Sequence, residues 1–207
     1  MSKKNSIIIV GGFSEIIELA EACGKTIAGV LDRRRGGDYR GYPLLGGDHD
    51  AEAVSRDFPG VPLVVSPDVP AIRKKLVDFY RDLGFSFANL VHPQAMISPS
   101  AVLGEGVIIQ YGVHVSADSK IGDFVKLNTL CNIMHDADIG RFATVAPNAV
   151  VLGRATIGSQ CYLGGNCTIL PHRIVAHDAV VGAGAVVTRD VAEGQTVAGV
   201  PARPLKQ

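Results

Sequence analysis

A single apolar position recurs every six residues through the second half of the chain. Its sixteen consecutive occupants are the branched aliphatic residues Ile97, Leu103, Ile109, Val115, Ile121, Leu127, Ile133, Ile139, Val145, Val151, Ile157, Leu163, Ile169, Val175, Val181 and Val187. A six-residue period is the sequence signature of a parallel β-helix, in which each hexad forms one side of a triangular coil. Three hexads make a coil of eighteen residues, so the repeat predicts an all-β prism of a little over five coils.

Glycine directly follows the repeating aliphatic at four positions that are themselves eighteen residues apart. These positions are Gly104, Gly122, Gly140 and Gly158. Residues at this separation stack in one column of the prism, so the sequence predicts a tight turn at this place on every coil.

The first half of the chain follows a different pattern, in which short apolar strands alternate with helical segments. The predicted strands are Ser6–Val10, Ile27–Leu31, Leu63–Val65 and Phe85–Val91, and the predicted helices follow Gly11-Gly12 and cover Pro70–Leu83. This alternation indicates a small parallel α/β sheet, similar to half of a Rossmann unit. We therefore expect two domains, a Rossmann-like α/β domain over residues 1–91 and an all-β domain over residues 92–207.

Composition narrows the partners and the location of the protein. Twenty basic and twenty acidic residues cancel, which argues against a nucleic-acid surface and against binding to an anionic membrane. Every apolar run falls far short of the ~20 residues that span a bilayer, and the run after the first five residues is too short for a signal peptide. We therefore expect a cytoplasmic protein that has no membrane partner.

Three of the four cysteines occupy one site of the hexad, two residues before the repeating aliphatic. They are Cys131, Cys161 and Cys167. The other occupants of this site are mostly small and apolar, and a reduced cysteine packs like one of them. Cys131 and Cys167 lie two coils apart in one column, which is roughly 9–10 Å and too far for a disulfide bond. All three are therefore predicted to be packing residues.

Among the corner residues, which stand two positions after each aliphatic, His135 is the candidate for catalysis. Its neighbours one coil below and one coil above are Ala117 and Gly153, so a long ligand would meet bare backbone beside the imidazole. Asp136 follows directly and can orient the ring and stabilise its protonated form. His135 is therefore a candidate general base for a bound nucleophile, and the alternative interpretation is a solvated polar residue at a turn.

The other five histidines are expected to be structural or surface residues. His177 is the informative comparison, because it also stands at a corner and is also followed by an acid, Asp178. Its column is charged and offers no glycine groove, so it is not assigned a role in catalysis.

A second candidate site lies near the start of the first half. Gly11 and Gly12 follow a predicted strand and precede a helix, where backbone N–H groups and the helix dipole favour a phosphate. Asp32 ends the next strand, at the distance where an acid binds a ribose or a base. The next three residues, Arg33 to Arg35, can supply positive charge, although a solvated basic loop is the alternative. No complete G-x-G-x-x-G motif is present, so the motif by itself is weak.

The chain resembles a known group of enzymes. The hexads, the His135-Asp136 pair, the segment NLVHPQAMISPSAVLGEGVII and the tail GAGAVVTRDVAEGQTVAGVPARPLK are similar to bacterial sugar acyltransferases of the hexapeptide superfamily. The resemblance covers nearly the whole chain. It is strongest to the sialic acid O-acetyltransferase type and to the N-acetyltransferases of UDP- or GDP-linked 4-amino sugars, as in bacillosamine and perosamine synthesis.

This resemblance implies a left-handed coil, a homotrimer with active sites between neighbouring prisms, and direct acetyl transfer from acetyl-CoA without a metal. It assigns the general base to His135 and its acidic partner to Asp136, and it places Asn128 at the active site. Gly153 and Gly165 match positions that line the acetyl-CoA groove, which we extend to Thr144, Ile174 and Ala183. Thr144 stands where the family has a histidine.

The resemblance also assigns the nucleotide to the first domain, at Gly11, Gly12, Asp32 and Arg33. The family usually has a further glycine and often a histidine where this chain has Ser14 and Glu15. A carboxylate at Glu15 would repel a diphosphate, so the identity of the nucleotide stays open.

Three alternatives remain beside the N-acetyltransferase hypothesis. The same base would serve a hydroxyl nucleophile, which gives a sugar O-acetyltransferase. A zinc enzyme of the β-helical carbonic anhydrase type needs three imidazoles, and no second histidine shares the column of His135. A non-catalytic trimeric scaffold is the third alternative. The expected biological context is the synthesis of surface polysaccharides.

Overall fold

The computed structural model describes residues 5–34 and 36–205. Arg35, which the sequence groups with Arg33 and Arg34, lies outside the described residues. The chain divides into two compact units: the first runs to Asp68 and resumes over Ile72–Leu90, and the second comprises Val69–Ala71 and the chain from Val91 onward.

Within its described residues, the first unit contains a five-stranded sheet, three α-helices and a short 3-10 helix over Asp48–Asp50. Its strands are β1 (Ser6–Val10), β2 (Thr26–Leu31), β3 (Asp38–Tyr39), β4 (Tyr42–Gly46) and β5 (Leu63–Val65), and its helices are α1 (Ser14–Ala22), α2 (Ala51–Asp57) and α3 (Pro70–Asp82). The strand order is β3-β4-β2-β1-β5, and every pair is parallel except β3 with β4. Continuous apolar runs such as Ile7–Val10 are buried because helices cover a parallel sheet.

The prediction of one continuous strand over Phe85–Val91 is wrong. Phe87 makes only an isolated parallel bridge with Leu63, and the last two residues, Leu90–Val91, form β6 in a different sheet. The hairpin of β3 and β4 and the helix α2 were not predicted. The hairpin pairs over only two residues of each strand, and β4 is the short run YPLLG. Neither segment has a recognisable hydrophobic period, so the sequence pattern does not predict this hairpin.

The second unit consists of very short strands, sixteen of which end on the repeating aliphatic. They are β7 (Met96–Ile97), β8 (Val102–Leu103), β9 (Ile108–Ile109), β10 (His114–Val115), β11 (Lys120–Ile121), β12 (Lys126–Leu127), β13 (Asn132–Ile133), β14 (Asp138–Ile139), β15 (Thr144–Val145), β16 (Val150–Val151), β17 (Thr156–Ile157), β18 (Tyr162–Leu163), β19 (Thr168–Ile169), β20 (Ile174–Val175), β21 (Val180–Val181) and β22 (Val186–Val187). The strands β23 (Thr196–Ala198) and β24 (Arg203–Pro204) close the described chain. The predicted hexad period is therefore confirmed.

These strands form the three faces of a prism. Face 1 contains β7, β10, β13, β16, β19 and β22; face 2 contains β8, β11, β14, β17 and β20; face 3 contains β6, β9, β12, β15, β18, β21, β23 and β24. Strands of the sixteen hexads pair in parallel with a register of eighteen residues, as in His114 with Asn132. The aliphatic side chains of successive coils stack into one apolar core, and most of them are completely buried.

The glycine column at Gly104, Gly122, Gly140 and Gly158 has a different cause from the predicted tight turn. The left-handed turn residues lie two positions further on and are mostly not glycine, for example Phe124 at a φ of 56° and Phe142 at 61°. A Cβ on Gly140 would lie 2.6 Å from the backbone nitrogen of Ser159 on the next coil. Glycine is required here because adjacent coils approach each other too closely for any side chain.

The three hexad cysteines are buried free thiols, as predicted. Burial raises the pKa of the Cys161 thiol to about 11 and that of Cys167 to about 12, and it also raises the pKa of Cys131. Cys161 donates a hydrogen bond from Sγ to the carbonyl oxygen of Ala176 at 3.0 Å. In the described parts of the chain, no helix has the length and apolar character needed to span a bilayer.

The close approach between coils predicts a difference between two glycine substitutions. In Gly140→Ala the new methyl group meets the backbone of the next coil, which cannot move independently, so we expect a loss of about 1–3 kcal/mol in the free energy of unfolding. In Gly165→Ala the nearest atom is the Pro147 carbonyl oxygen at 3.3 Å, a tight contact that a shift of a few tenths of an ångström relieves, so this comparison variant is expected to lose less stability than Gly140→Ala. Denaturant unfolding at one protein concentration compares them, and equal midpoints for the two variants would contradict the explanation.

Candidate active site

His135 and Asp136 form a hydrogen-bonded pair at the corner between face 1 and face 2. His135 Nδ1 lies 2.8 Å from Asp136 Oδ2. Asp136 occupies the left-handed region at a φ of 57°, which a short polar side chain tolerates, and its N–H donates to the carbonyl oxygen of Ala117 one coil below. The turn therefore aims the carboxylate back at the imidazole of the preceding residue.

Gly153 provides the surface against which the imidazole lies. A Cβ at Gly153 would be 2.7 Å from both Cε1 and Nε2 of His135, so any larger residue would displace the ring. The N–H of Gly153 donates no hydrogen bond to any described residue. The bare surface predicted beside His135 is present, and it includes the N–H of Gly153, which has no acceptor among the described residues.

Asp136 is held in its ionised form by two neighbours. The hydrogen bond from His135 lowers the pKa of the Asp136 carboxyl group most, and the positive charge of Arg154 lowers it further. Arg154 Nε lies 3.6 Å from the same oxygen, Asp136 Oδ2. An ionised carboxylate only accepts hydrogen bonds, so Nδ1 of His135 carries a proton and Nε2 of the neutral ring is the basic nitrogen.

His177 does not reproduce this arrangement, although its sequence context is similar. Its Nδ1 accepts a hydrogen bond from the N–H of Ser159 one coil below, at 2.8 Å. Asp178 accepts instead from Gln160 Nε2, at 2.8 Å. His177 therefore joins two coils, and its acidic neighbour does not orient it.

The other residues predicted around the catalytic site stand at different places on the prism. Asn128 follows β12 at the edge of face 3 and is 6% exposed. Gly165 and Ala183 lie above it at the corner between face 3 and face 1, while Ile174 lies on face 2 and is 50% exposed. Within one chain, therefore, Asn128 and His135 stand at opposite edges of face 1.

Thr144 has no accessible surface. It lies in β15 with an exposed fraction of 0%. Its buried side chain offers no contact to a ligand, in contrast to the accessible position expected from the sequence.

The first unit contains a cavity of about 510 Å³ at the carboxyl ends of β1 and β2. Gly11, Asp32 and Arg33, three of the four residues predicted to bind the nucleotide, line it, and Gly12 is not among the lining residues. Its other walls include Asp48 and Lys75, which sequence reasoning did not single out. Asp48 begins the short 3-10 helix Asp48–Asp50 and Lys75 lies in α3, and no motif connects these positions.

The two glycine amides predicted to bind phosphate are already occupied. Gly11 donates its N–H to the carbonyl oxygen of Leu31 at 2.8 Å, and Gly12 donates to Asp32 Oδ2 at 2.6 Å. The other carboxylate oxygen of Asp32 accepts from the N–H of Arg34 at 3.0 Å. The prediction that these amides cradle a phosphate is therefore corrected, because the chain's own Leu31 and Asp32 oxygens take that place.

Of the two residues at the start of α1 that differ from the family pattern, Ser14 is also engaged, while Glu15 is exposed. Ser14 Oγ is 3.0 Å from the hydroxyl of Tyr39, and this hydrogen bond is the main reason that the pKa of Tyr39 is lowered. The guanidinium of Arg34 lies over the Tyr39 ring at 4.6 Å. Among the described residues, no group of three or more His, Cys, Asp or Glu side chains is arranged to hold a metal ion.

Comparison with known proteins gives relatives among sugar acyltransferases, although no protein-family model matches the chain. GDP-perosamine N-acetyltransferase of Escherichia coli O157:H7 is 33% identical over 142 residues, which cover 66% of this chain and 64% of that protein. UDP-3-O-acylglucosamine N-acyltransferase of Albidiferax ferrireducens is 40% identical over 114 residues, 52% of this chain and 35% of that protein. The chain thus aligns with less than two thirds of the length of these curated relatives.

Solved structures match over nearly the whole chain. A GDP-perosamine N-acetyltransferase from Caulobacter crescentus, in a histidine-to-alanine variant with CoA and GDP-perosamine, is 33% identical with a TM-score of 0.94, covering 99% of this chain and 98% of that one. The acetyltransferase domain of PglB from Neisseria gonorrhoeae is 31% identical with a TM-score of 0.91, covering 98% and 100%; the same domain has been solved with acetyl coenzyme A.

The predicted architecture, an α/β unit followed by a left-handed parallel β-helix, is confirmed by these matches and by the strand topology. The similarity extends through both units, since it covers 99% of the chain at 33% identity. The protein belongs to the hexapeptide-repeat sugar N-acetyltransferases.

Proposed function

We propose that this protein transfers the acetyl group of acetyl-CoA to the amino group of a nucleoside-diphosphate-linked amino sugar. The observation that carries the proposal is the His135–Asp136 pair beside Gly153, in a chain whose relatives bind CoA with an amino-sugar nucleotide. The similar proteins are named as N-acyltransferases, which favours an amine over a hydroxyl as the nucleophile.

The proposed mechanism is direct transfer without an acyl-enzyme. The sugar amine attacks the thioester carbonyl carbon of acetyl-CoA while His135 Nε2 takes the proton from the nitrogen. Asp136 stabilises the imidazolium through the Nδ1 hydrogen bond. The N–H of Gly153, which has no acceptor among the described residues, is the proposed donor to the oxyanion of the tetrahedral intermediate. The intermediate collapses to the amide with release of CoA thiolate, which takes the proton back from the His135 imidazolium and leaves as the thiol.

We propose binding roles for the remaining site residues predicted from the sequence. The acetyl-CoA groove follows Gly153, Gly165, Ile174 and Ala183, and Asn128 belongs to the acceptor side of the site. Asp32 and Arg33 line the nucleotide cavity of the first unit. The two substrates, acetyl-CoA and a nucleotide sugar, are cytoplasmic metabolites, and this supports a cytoplasmic enzyme of surface-polysaccharide synthesis.

We also propose that three chains assemble into a homotrimer. Face 1 presents only uncharged or histidine side chains at its outward strand positions, from Met96 to Val186, while face 2 presents Lys120 and Asp138. Packing of face 1 against a rotationally related copy would bring the His135 corner of one chain beside the Asn128 corner of the next. This arrangement assembles one site from residues that a single chain holds apart.

The nucleophile is tested with two matched acceptors, a GDP-linked 4-amino sugar and the GDP-linked sugar that carries a hydroxyl at the same carbon. Release of CoA thiol from acetyl-CoA gives the rate. We expect turnover with the amine and none above background with the hydroxyl. Turnover of the hydroxyl acceptor alone would identify an O-acetyltransferase. If neither GDP-linked nor UDP-linked amino sugars were turned over, the proposed enzyme activity would be contradicted.

Removal of the general base is expected to lower kcat while the fold is retained. His135→Ala should reduce kcat by about 10²–10⁴-fold because proton transfer from the attacking nitrogen loses its acceptor. His177→Ala is the matched control, since His177 also stands at a corner and only joins two coils. Near-normal kcat in folded His135→Ala protein, or an equal loss in both variants, would contradict the assignment.

The shared site predicts complementation between inactive variants. His135→Ala and Asn128→Ala are each expected to be nearly inactive, but mixed trimers restore those sites that combine His135 of one chain with Asn128 of its neighbour. Random mixing gives about a quarter of the sites in the restored form. Sedimentation should report three times the chain mass of 21.8 kDa. Activity in the mixture that does not exceed that of the separate variants would contradict the shared site.

A further inference from the structure

The cavity of the first unit combines apolar walls with a single open carboxylate. Val10, Leu31 and Leu76 contribute apolar wall, and Asp32 and Asp48 contribute the acidic groups. Both oxygens of Asp32 already accept backbone N–H groups. Asp48 accepts one hydrogen bond on Oδ1, and its Oδ2 has no partner among the described residues. Asp48 is therefore the carboxylate in this cavity that is available to a ligand.

The orientation of Asp48 is fixed from behind by Tyr80. The Tyr80 hydroxyl donates to Asp48 Oδ1 at 2.8 Å, and Tyr80 is fully buried. Its ring packs edge to face on Phe79 and Phe85, with centroid distances of 5.0 and 5.6 Å. Burial raises the pKa of the Tyr80 hydroxyl, so it remains a protonated donor. The carboxylate thus has a fixed direction and a free edge.

A carboxylate edge distinguishes the bases of the two nucleotide classes. Guanine offers two adjacent donors on its Watson–Crick edge, N1–H and the N2 amino group, which match the lone pairs of one carboxylate. Uracil offers a single donor, N3–H, between two carbonyl oxygens that a carboxylate repels. Apolar side chains on the cavity walls can hold the flat purine ring, and Arg33 and Lys75, which line the same cavity, carry positive charge that can neutralise phosphates.

We propose that the Asp48 carboxylate binds the Watson–Crick edge of the nucleotide base of the acceptor and makes this enzyme specific for guanine nucleotide sugars. The proposal rests on the proposed function for the existence of a nucleotide substrate, and it adds the base and the residue that selects it. Asp48 is a specificity-determining residue, and Tyr80 is a positioning residue that acts through it.

The test is a calorimetric titration of the full-length protein with GDP, inosine diphosphate and UDP. Inosine diphosphate keeps N1–H and lacks the N2 amino group, so wild-type protein should bind GDP about tenfold or more tightly than inosine diphosphate and UDP. This comparison needs no variant. Equal affinity for GDP and inosine diphosphate, tighter binding of UDP, or no binding of any of the three would overturn the proposal.

A substitution of Asp48 should reverse the preference. Asp48→Asn keeps an oxygen for the Tyr80 hydroxyl and replaces the free oxygen by an N–H₂ donor, which faces the guanine donors and suits a uracil carbonyl. We expect GDP to bind about tenfold or more weakly and UDP no more weakly than to wild type. The control is Asp57→Asn, an equal change of charge at an exposed residue at the end of α2, with affinities unchanged. Equal weakening of GDP and UDP by Asp48→Asn would overturn the proposal.

These titrations separate the inference from the proposed enzyme activity. Selective binding of GDP without acetyl transfer to any amino sugar would contradict the activity and leave the base selection intact. Acetyl transfer to a UDP-linked amino sugar in preference to the GDP-linked one would overturn the base selection and leave the activity intact.

Discussion

The eighteen-residue register between coils is the constraint on which the rest of the second unit depends. Backbone N–H groups of one coil donate to carbonyl oxygens of a neighbouring coil, and at the His135 corner these bonds run from Asp136 to Ala117 and from Arg154 to His135. They fix which side chains stand above one another. The imidazole therefore lies against the bare Gly153, and Ala117 occupies the same corner one coil below. This placement does not require a loop or a folded cavity.

Much of this arrangement could be predicted from the sequence because the core imposes one strict period. Every repeating aliphatic from Ile97 to Val187 ends a strand, as the hexad predicts. The glycine column shows the limit of the pattern. A glycine in a sequence does not show whether the backbone there has a positive φ or lies too close to a neighbouring segment for a side chain. Here the positive-φ turns are made by residues such as Phe124, while Gly140 lies against the backbone of the next coil.

The first unit was less predictable, since its site depends on residues brought together by the fold. Tyr80 and Asp48 are separated by 32 positions and come from α3 and from the short 3-10 helix Asp48–Asp50, so no spacing reveals their hydrogen bond. The glycine pair suggested a phosphate site, but the N–H of Gly12 already donates a hydrogen bond to the carboxylate of Asp32. The division of labour follows from this difference. In the proposed mechanism, the regular prism supplies the chemistry of transfer and the irregular sheet supplies recognition of the acceptor.

A crystal structure of the protein with CoA and a GDP-linked amino sugar tests the proposed site most directly. We expect the CoA sulfur and the sugar nitrogen to lie next to each other, beside Nε2 of His135 and the N–H of Gly153. A reacting pair bound at the His177 corner, or on a face of the prism away from His135, would contradict it.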